Sequence, residues 1–447
     1  MNRTLTSPIQ TTSFEKLLFV LSVLFFSYVM LGGMPFESRG DTSVATVADF
    51  QEGNAFRQFF YLTFFALTTV LAIRSRGLDY FKLYSPMFVV LFAYSALSIS
   101  WAVRPDIGGR KLVLAIIFII IVVNWFALLG SRAVLKNLTF TLGLLIILSV
   151  IAVFVVPAWA KHPPGETDPA LVGMWRGLFT HKNHAAAACA IALILFGYRW
   201  ALRKQWIDLI VFLLSVVFLL GSGGKTALGF SFPSLIAALV FRNYAKKEAV
   251  STVVIAIVVM LFLIVPIFGM LFADKIIQIF SDPMAFTGRI QIWTLTLEYI
   301  NDHPWFGSGY GSFWQLGDSS LLDTYSAEPW LAGTFHAHNG YIELALMLGI
   351  PGAILALIPT VAIPLVQVFR KARYNANLCG LMFGWLLFSV LFNLLEAQIF
   401  TKDWEVWLIQ VVLCINLRVI PRVYVPNLGS LVPRKIGQEF NRPIAAE

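Results

Sequence analysis

Charge and cysteine are what this chain has least of. Only 13% of its 447 residues are charged and 58% are hydrophobic, whereas an ordinary soluble domain is about a quarter charged. That balance excludes an ordinary soluble domain and makes the chain a polytopic membrane protein. The three cysteines, Cys189, Cys379 and Cys414, all fall inside apolar runs and none stands in a CxxC or Cys/His spacing. A disulfide framework and a cysteine-based zinc site are therefore excluded. No Ala-x-Ala cleavage signal follows the first apolar run, Phe14 to Met34, so it reads as a retained span rather than a signal peptide. No internal repeat or low-complexity linker divides the chain. A P-loop is missing as well. Ser222-Gly223-Gly224-Lys225-Thr226 resembles its second half, but Leu219 stands where the first glycine is required.

What is present is apolar length. Aromatic residues make up 15%, with 39 Phe, as suits lipid-facing helices and interfacial belts. A membrane-spanning helix needs about 20 mostly apolar residues. Twelve stretches qualify: 14–34, 56–73, 83–101, 112–129, 137–158, 184–201, 206–222, 226–241, 249–272, 340–366, 378–397 and 404–420. The sequence thus predicts an all-α fold of about twelve transmembrane helices. One transmembrane domain, 14–420, lies between tails 1–13 and 421–447. The seventh and eighth spans form a hairpin through Gly221-Ser222-Gly223-Gly224.

The net charge of +9 would suggest nucleic acid in a soluble protein. Here Lys and Arg gather in alternate loops (RSRGLDYFK, GSRAVLK, RKQ, RNYAKK, FRKAR) and in the tails, which is the positive-inside pattern. Both termini are expected in the cytoplasm, and no nucleic-acid partner is expected. The longest connection, 273–339, then lies outside, before the tenth span. Loops beyond about 12–15 residues are uncommon unless functional, so chemistry is expected on the outer face.

Five stretches and one lysine could carry it. In Thr287-Gly288-Arg289-Ile290-Gln291-Ile292-Trp293, a helix would set Arg289 and Trp293 on one face. That helix is amphipathic and too short to span, so it would lie along the surface. A guanidinium there suits phosphate or pyrophosphate; the plain reading is a surface-paired arginine. His303-Pro304-Trp305-Phe306-Gly307-Ser308-Gly309-Tyr310-Gly311 ends that helix at Pro304, and its glycines, Gly307 and Gly309 among them, allow a tight turn or a close ligand approach. His336-Ala337-His338-Asn339 opens the tenth span. Imidazole is suited to proton transfer near neutral pH, and Asn339 suits a helix N-cap. His336 and His338 are two apart, which would serve a metal only from a loop; proton transfer or substrate hydrogen bonding ranks above metal. Finally, Arg176, His181, Lys182, Asn183 and His184 precede the sixth span, and Arg104, Arg110 and Lys111 the fourth. Cationic groups on the outer face run against the charge trend, and an anionic ligand would explain them. Lys225, at the outer end of the hairpin, could reach a phosphate as a point charge. The middles of the spans are nearly free of charge, with Glu343, Glu396 and Lys225 near outer ends, which weighs against a transporter or flippase.

Taken in order, Gly288-Arg289-x3-Trp293, His303-Pro304-Trp305-Phe306-Gly307-x-Gly309-x-Gly311-x-Phe313, His336-Ala337-His338-Asn339-x-Tyr341-Ile342-Glu343 and Gly349-Ile350-Pro351-Gly352 resemble the O-antigen ligase and Wzy-type polymerase superfamily. Phe179-Thr180-His181-Lys182-Asn183-His184 is similar to a segment of its exopolysaccharide polymerase branch. The resemblance implies a GT-C-like helical fold in the bacterial inner membrane and a glycosyltransferase working on the periplasmic face without metal or other cofactor. Its donor would be a glycan carried on undecaprenyl pyrophosphate, and its acceptor a glycan or lipid. A chain-length regulator or export complex is a further candidate partner. His338 would take the acceptor proton and Arg289 would hold the departing pyrophosphate, helped by Lys225 where the family often has arginine. The resemblance leaves open polymerisation of repeat units into exopolysaccharide or ligation of a finished glycan to a lipid A core or a protein.

Overall fold

The computed structural model describes residues 8–32, 54–164, 169–244, 289–314, 321, 325, 334–400 and 404–419. Among these the structure is helical, with connecting turns and an isolated bridge between Lys161 and Trp175. The helices are α1 (Pro8–Met30), α2 (Ala55–Arg76), α3 (Pro86–Ser98), α4 (Pro105–Val155), α5 (Lys182–Arg203), α6 (Trp206–Ser222), α7 (Lys225–Tyr244), α8 (Arg289–Asp302), α9 (Gly340–Leu357), α10 (Ile363–Ala372), α11 (Ala376–Phe392) and α12 (Glu405–Val419). Six helical stretches are long and apolar enough to cross a membrane: Ser13–Met30, Ala55–Leu83, Pro105–Val155, Lys182–Arg203, Lys225–Tyr244 and Gly340–Ala372. Pro86–Trp101, Trp206–Ser222 and Ala376–Phe392 are shorter apolar helices. The architecture is that of a helical, polytopic membrane protein. The span expected over 249–272, the two tails, Gly288 and most of the 273–339 connection lie outside the described residues.

One expectation needs correcting. GSRAVLK was expected to be a loop between the fourth and fifth spans, yet α4 runs for 51 residues through it. At about 1.5 Å per residue such a helix would be more than twice the thickness of a bilayer core. It is interrupted at one residue, Gly130, with φ 75° and ψ 164°. Glycine takes that conformation without the Cβ penalty other residues meet. The flanking residues keep helical geometry, so the turn between the two expected spans shrinks to a kink.

The centre of the bundle is α5. Every residue from Ala185 to Tyr198 is buried, as expected of a helix that is apolar all round. Its first half is alanine, which lets neighbours approach closely; Gly224, at the turn into α7, sits against Ala186. α12 is buried from Glu405 to Leu417 and packs on α5. The two central helices start at the same end of the bundle, where His184 of α5 meets Glu405 of α12. α9 begins at this end too, and α11 finishes there, because the Gly340 N–H donates to the carbonyls of Asn393 and Glu396.

α8 does not enter the bundle. It buries Ile292, Leu295, Tyr299 and Ile300 in a small separate core with Phe313, Trp314, Ala337 and Leu346. It therefore lies over the end of α9, in keeping with its amphipathic pattern. The turn after it docks on a second helix break. Gly349 has φ 68° and ψ 173° inside α9. The Ile350 N–H, freed there, donates to the Pro304 carbonyl at 2.8 Å, and the Ser308 N–H to that of Leu346 at 2.9 Å. A Cβ on Gly349 would run into the Trp305 backbone. That conformation is essentially restricted to glycine.

Gly349→Ala should therefore lower the thermal midpoint of the purified protein, by a cost of about 1–3 kcal/mol or more. Gly229→Ala, in a helical site with open space around its Cβ, should leave it unchanged or raise it slightly. Tryptophan fluorescence during heating in detergent reads both.

Candidate active site

The sequence places a guanidinium, two imidazoles and a cap ahead of an apolar helix; the structure gathers them around a carboxylate that follows α11. Glu396 is 6% exposed. Its Oε1 accepts from Arg289 Nη2 at 2.8 Å, and its Oε2 lies 3.4 Å from His338 Nδ1. The first contact is a charge-assisted hydrogen bond. The second is an electrostatic contact without good hydrogen-bond alignment, since His338 Nδ1 makes no regular hydrogen bond. Arg289 also donates to the Leu395 carbonyl. Burial works to raise the Glu396 pKa, but the contact with His338 and the positive charge of Arg289 outweigh it and hold the group at about 2. It is a carboxylate at any physiological pH.

His338 is held by its backbone. Its φ is +49°, a left-handed conformation uncommon for a side chain of this size. Its N–H donates to His336 Nδ1 at 3.1 Å. His336 is 8% exposed, and burial, followed by the neighbouring His338, pushes its pKa well below the usual histidine value. It is therefore neutral, and with Nδ1 accepting, its proton sits on Nε2. The two rings pack edge to face, centroids 4.0 Å apart. With Nδ1 facing Glu396, the Nε2 of His338 is turned away from the carboxylate.

The supporting groups are local. The Asn339 side chain caps α9, accepting from the N–H groups of Tyr341 and Ile342, while its amide donates to the Leu394 carbonyl at 3.0 Å. Trp293, one turn after Arg289, donates its indole N–H to the Ala337 carbonyl at 2.9 Å. Glu343 is buried, with its carboxylate accepting from the Ala337 N–H at 2.8 Å and from the Trp314 indole. Gly307 and Gly309 have positive φ and press their backbones on the break in α9 and on the end of α3, which is a packing role.

The cluster before α5 divides. His184 pairs with Glu405 at 2.9 Å and touches Trp404, centroids 4.8 Å apart. Trp404 in turn touches His336 at 5.5 Å, so His184 joins the His338 group through one ring. The others are held by local contacts, with His181 within electrostatic reach of His184 and Glu396. Arg176 is buried and donates to the Trp159 carbonyl. His181 is the N-cap of α5, with Nδ1 accepting from Asn183 N–H at 3.2 Å. Lys182 takes its backbone N–H to His162 Nε2 and its ammonium to Met174 Sδ. Burial, then the charges of His184, His162 and Lys182, lowers the His181 pKa to about 3. It is not one of the cations the sequence suggested. Lys225 is exposed at the start of α7, and Arg110 lines a cavity that His336 also borders.

Sequence reasoning did not single out Glu396 as a partner for either catalytic candidate, nor Trp404, Glu405 or His162. The one signal for Glu396 was a lone carboxylate closing an apolar span.

His336, His338 and Glu396 also form a group whose ligand atoms lie within 4.8 Å of one another, a spacing a metal ion could use. The donor chemistry fits poorly. His336 Nδ1 already accepts the His338 N–H, and Arg289 occupies Oε1 of the carboxylate.

Residues 209–357 match the family model described as O-Antigen ligase. The match runs from α6 to the end of α9 and contains Lys225, Arg289, Trp293, Gly307, Gly309, His336, His338, Asn339 and Glu343. It bears out the resemblance to the O-antigen ligase and Wzy superfamily, and with it a coarse role in glycan transfer on lipid-linked substrates in a membrane. No curated relative matches the chain.

The depressed pKa values set the direction of the acid response. His181 and His336 carry folded values below the usual histidine value of about 6.5 and Glu396 one below about 4.5, so the unfolded chain binds more protons in acid. Stability should be full above about pH 6.5. It should fall in two stages, first as unfolded histidines protonate and then below about pH 4.5. Glu396→Gln should flatten only the second stage, read from thermal midpoints between pH 7.5 and 3.5.

Proposed function

We propose that this chain is a glycosyltransferase of the periplasmic face, with a GT-C-like helical fold in the bacterial inner membrane and both termini in the cytoplasm. It polymerises oligosaccharide repeat units carried on undecaprenyl pyrophosphate into exopolysaccharide. The observation that carries this reading is Glu396 standing between Arg289 and His338, which puts a proton acceptor and a fixed cation on one carboxylate.

The chemistry follows from the two ends of that arrangement. An acceptor hydroxyl attacks the anomeric carbon of the donor glycan. The new C–O bond forms as the bond from carbon to the pyrophosphate oxygen breaks, and the electron pair leaves with undecaprenyl pyrophosphate. His338 Nε2 takes the hydroxyl proton, and Glu396 stabilises the imidazolium that results. Arg289, whose guanidinium has five N–H donors, keeps donors for the pyrophosphate as its charge grows. Preorganised donors aimed at developing charge are the strongest single contribution at such a site. Lys225 adds a second cation from the hairpin, and the groups at Arg176, His181, Lys182, Asn183 and His184 border the same end of the bundle. No nucleotide is required, because the activated bond arrives with the lipid.

The description attached to the family match favours a second reading, ligation of a finished glycan to a lipid A core or a protein. The donor half of the reaction is the same, and only the acceptor differs.

Purified protein incubated with a lipid-linked repeat unit, in EDTA and without nucleotide, should yield a ladder of repeat multiples by mass spectrometry. His338→Ala should lower the rate about 10²–10⁴-fold, and Arg289→Ala about 10²–10³-fold. Transfer appearing only when a core lipid or protein is added would make the enzyme a ligase. No transfer to any acceptor by folded protein would remove both readings.

A further inference from the structure

Beside His336 lies a cavity of about 170 Å³ between α2, the start of α4, the 310–314 turn and the beginning of α9. Three features of its wall bear on what it holds. Among the described residues its charged lining is mostly cationic: Arg57, Arg110 and Lys111 stand there with the carboxylate of Glu343, whose oxygens are engaged by the Trp314 indole and the Ala337 N–H. Lys111 is fixed in place by donating to the Gly311 carbonyl at 2.8 Å. The wall is aromatic: Trp314, Phe335 and Trp404 offer flat faces. And it adjoins the reacting end of the site, since His336 lies in its wall and packs 4.0 Å, centroid to centroid, from His338.

The volume is below the roughly 300–1,000 Å³ typical of pockets for drug-sized ligands, a size that suits a single ring. Flat aromatic faces suit the C–H face of a pyranose and do little for a bare phosphate. Guanidinium groups suit a carboxylate. We propose that this cavity is the acceptor subsite and that it takes one sugar ring bearing an acidic substituent, a carboxylate of the uronic-acid kind. The inference rests on the transfer reaction above, which requires the acceptor hydroxyl within hydrogen-bond reach of the base. A ring seated beside His336 places the adjoining sugar of the acceptor beside His338. The pyrophosphate belongs with Arg289.

The test is binding of small glycosides to the full chain in lipid nanodiscs, followed by saturation-transfer NMR. The probes are methyl β-D-glucuronoside, methyl β-D-glucoside and inorganic pyrophosphate. The glucuronoside should saturate at a concentration at least tenfold lower than the glucoside. Arg57→Gln and Arg110→Gln together should erase that preference, Arg110→Lys alone should keep part of it, and Arg289→Ala should leave it intact. Arg110 is exposed at the cavity mouth, and an unchanged thermal midpoint confirms that its variants fold. Equal binding of the two glycosides, displacement of the glucuronoside by pyrophosphate, or loss of binding in Arg289→Ala would each overturn the proposal. The two ideas separate cleanly. Product from lipid-linked repeats without the glycoside preference removes the subsite alone. An Arg110-dependent preference in a protein that makes no product with any acceptor leaves an acidic-sugar site and removes the transfer reaction.

Discussion

A buried carboxylate needs partners, and Glu396 has two. An unpaired charge at so enclosed a position is expensive, and removing one member of a buried pair typically costs about 3–5 kcal/mol. Arg289 and His338 each meet a different one of its two oxygens, and neither comes from the segment that carries it. Three pieces of chain are thereby tied at one point: the surface helix α8, the turn that caps α9, and the segment after α11. The cap itself depends on the same segment, since Asn339 and Gly340 bond to the backbone of residues 393–396. The pairing that satisfies electrostatics also sets the spacing between a base and a cation.

A second polar pairing, His184 with Glu405, stands where the two central helices begin. Both helices are apolar nearly throughout, so dispersion and close fit hold their length while one polar contact fixes their ends. Trp404 bridges this pair to His336 and so to His338. A contiguous run of rings links the bundle's central joint to the reactive histidine. Packing alone would hold these helices together, and the polar ends determine their register.

Apolar length was legible in the sequence because the bilayer demands it, and among the described residues the helices fall where the hydropathy put them, the fourth and fifth spans being joined at a kink. The Arg289–Trp293 spacing and the Asn339 cap were legible as well, since both are local. What was hidden is non-local or depends on a single backbone angle. Nothing in the composition of GSRAVLK says that one glycine will bend a helix rather than end it. Glu396 lies far from Arg289 along the chain and outside the family motifs, so no spacing rule connects them. The charge of His181 was misjudged because burial, which removes its proton, is a property of the folded surroundings. Gly307 and Gly309 allowed either a tight turn or a close ligand approach, and their nearest neighbours are the break in α9 and the end of α3.

The separation of 107 residues between Arg289 and Glu396 also bears on how the protein is made. Chains are synthesised from the N-terminus at about 5–20 residues per second, so Arg289 and His338 leave the ribosome well before their shared carboxylate. Until the segment after α11 is in place, the guanidinium and the imidazole lack the carboxylate they share, and only the packing of α8 on the turn before α9 relates them. A truncated or half-inserted chain carries both groups without the carboxylate that pairs with them. Synthesis order thereby leaves the cluster incomplete until the last helices of the bundle are in place.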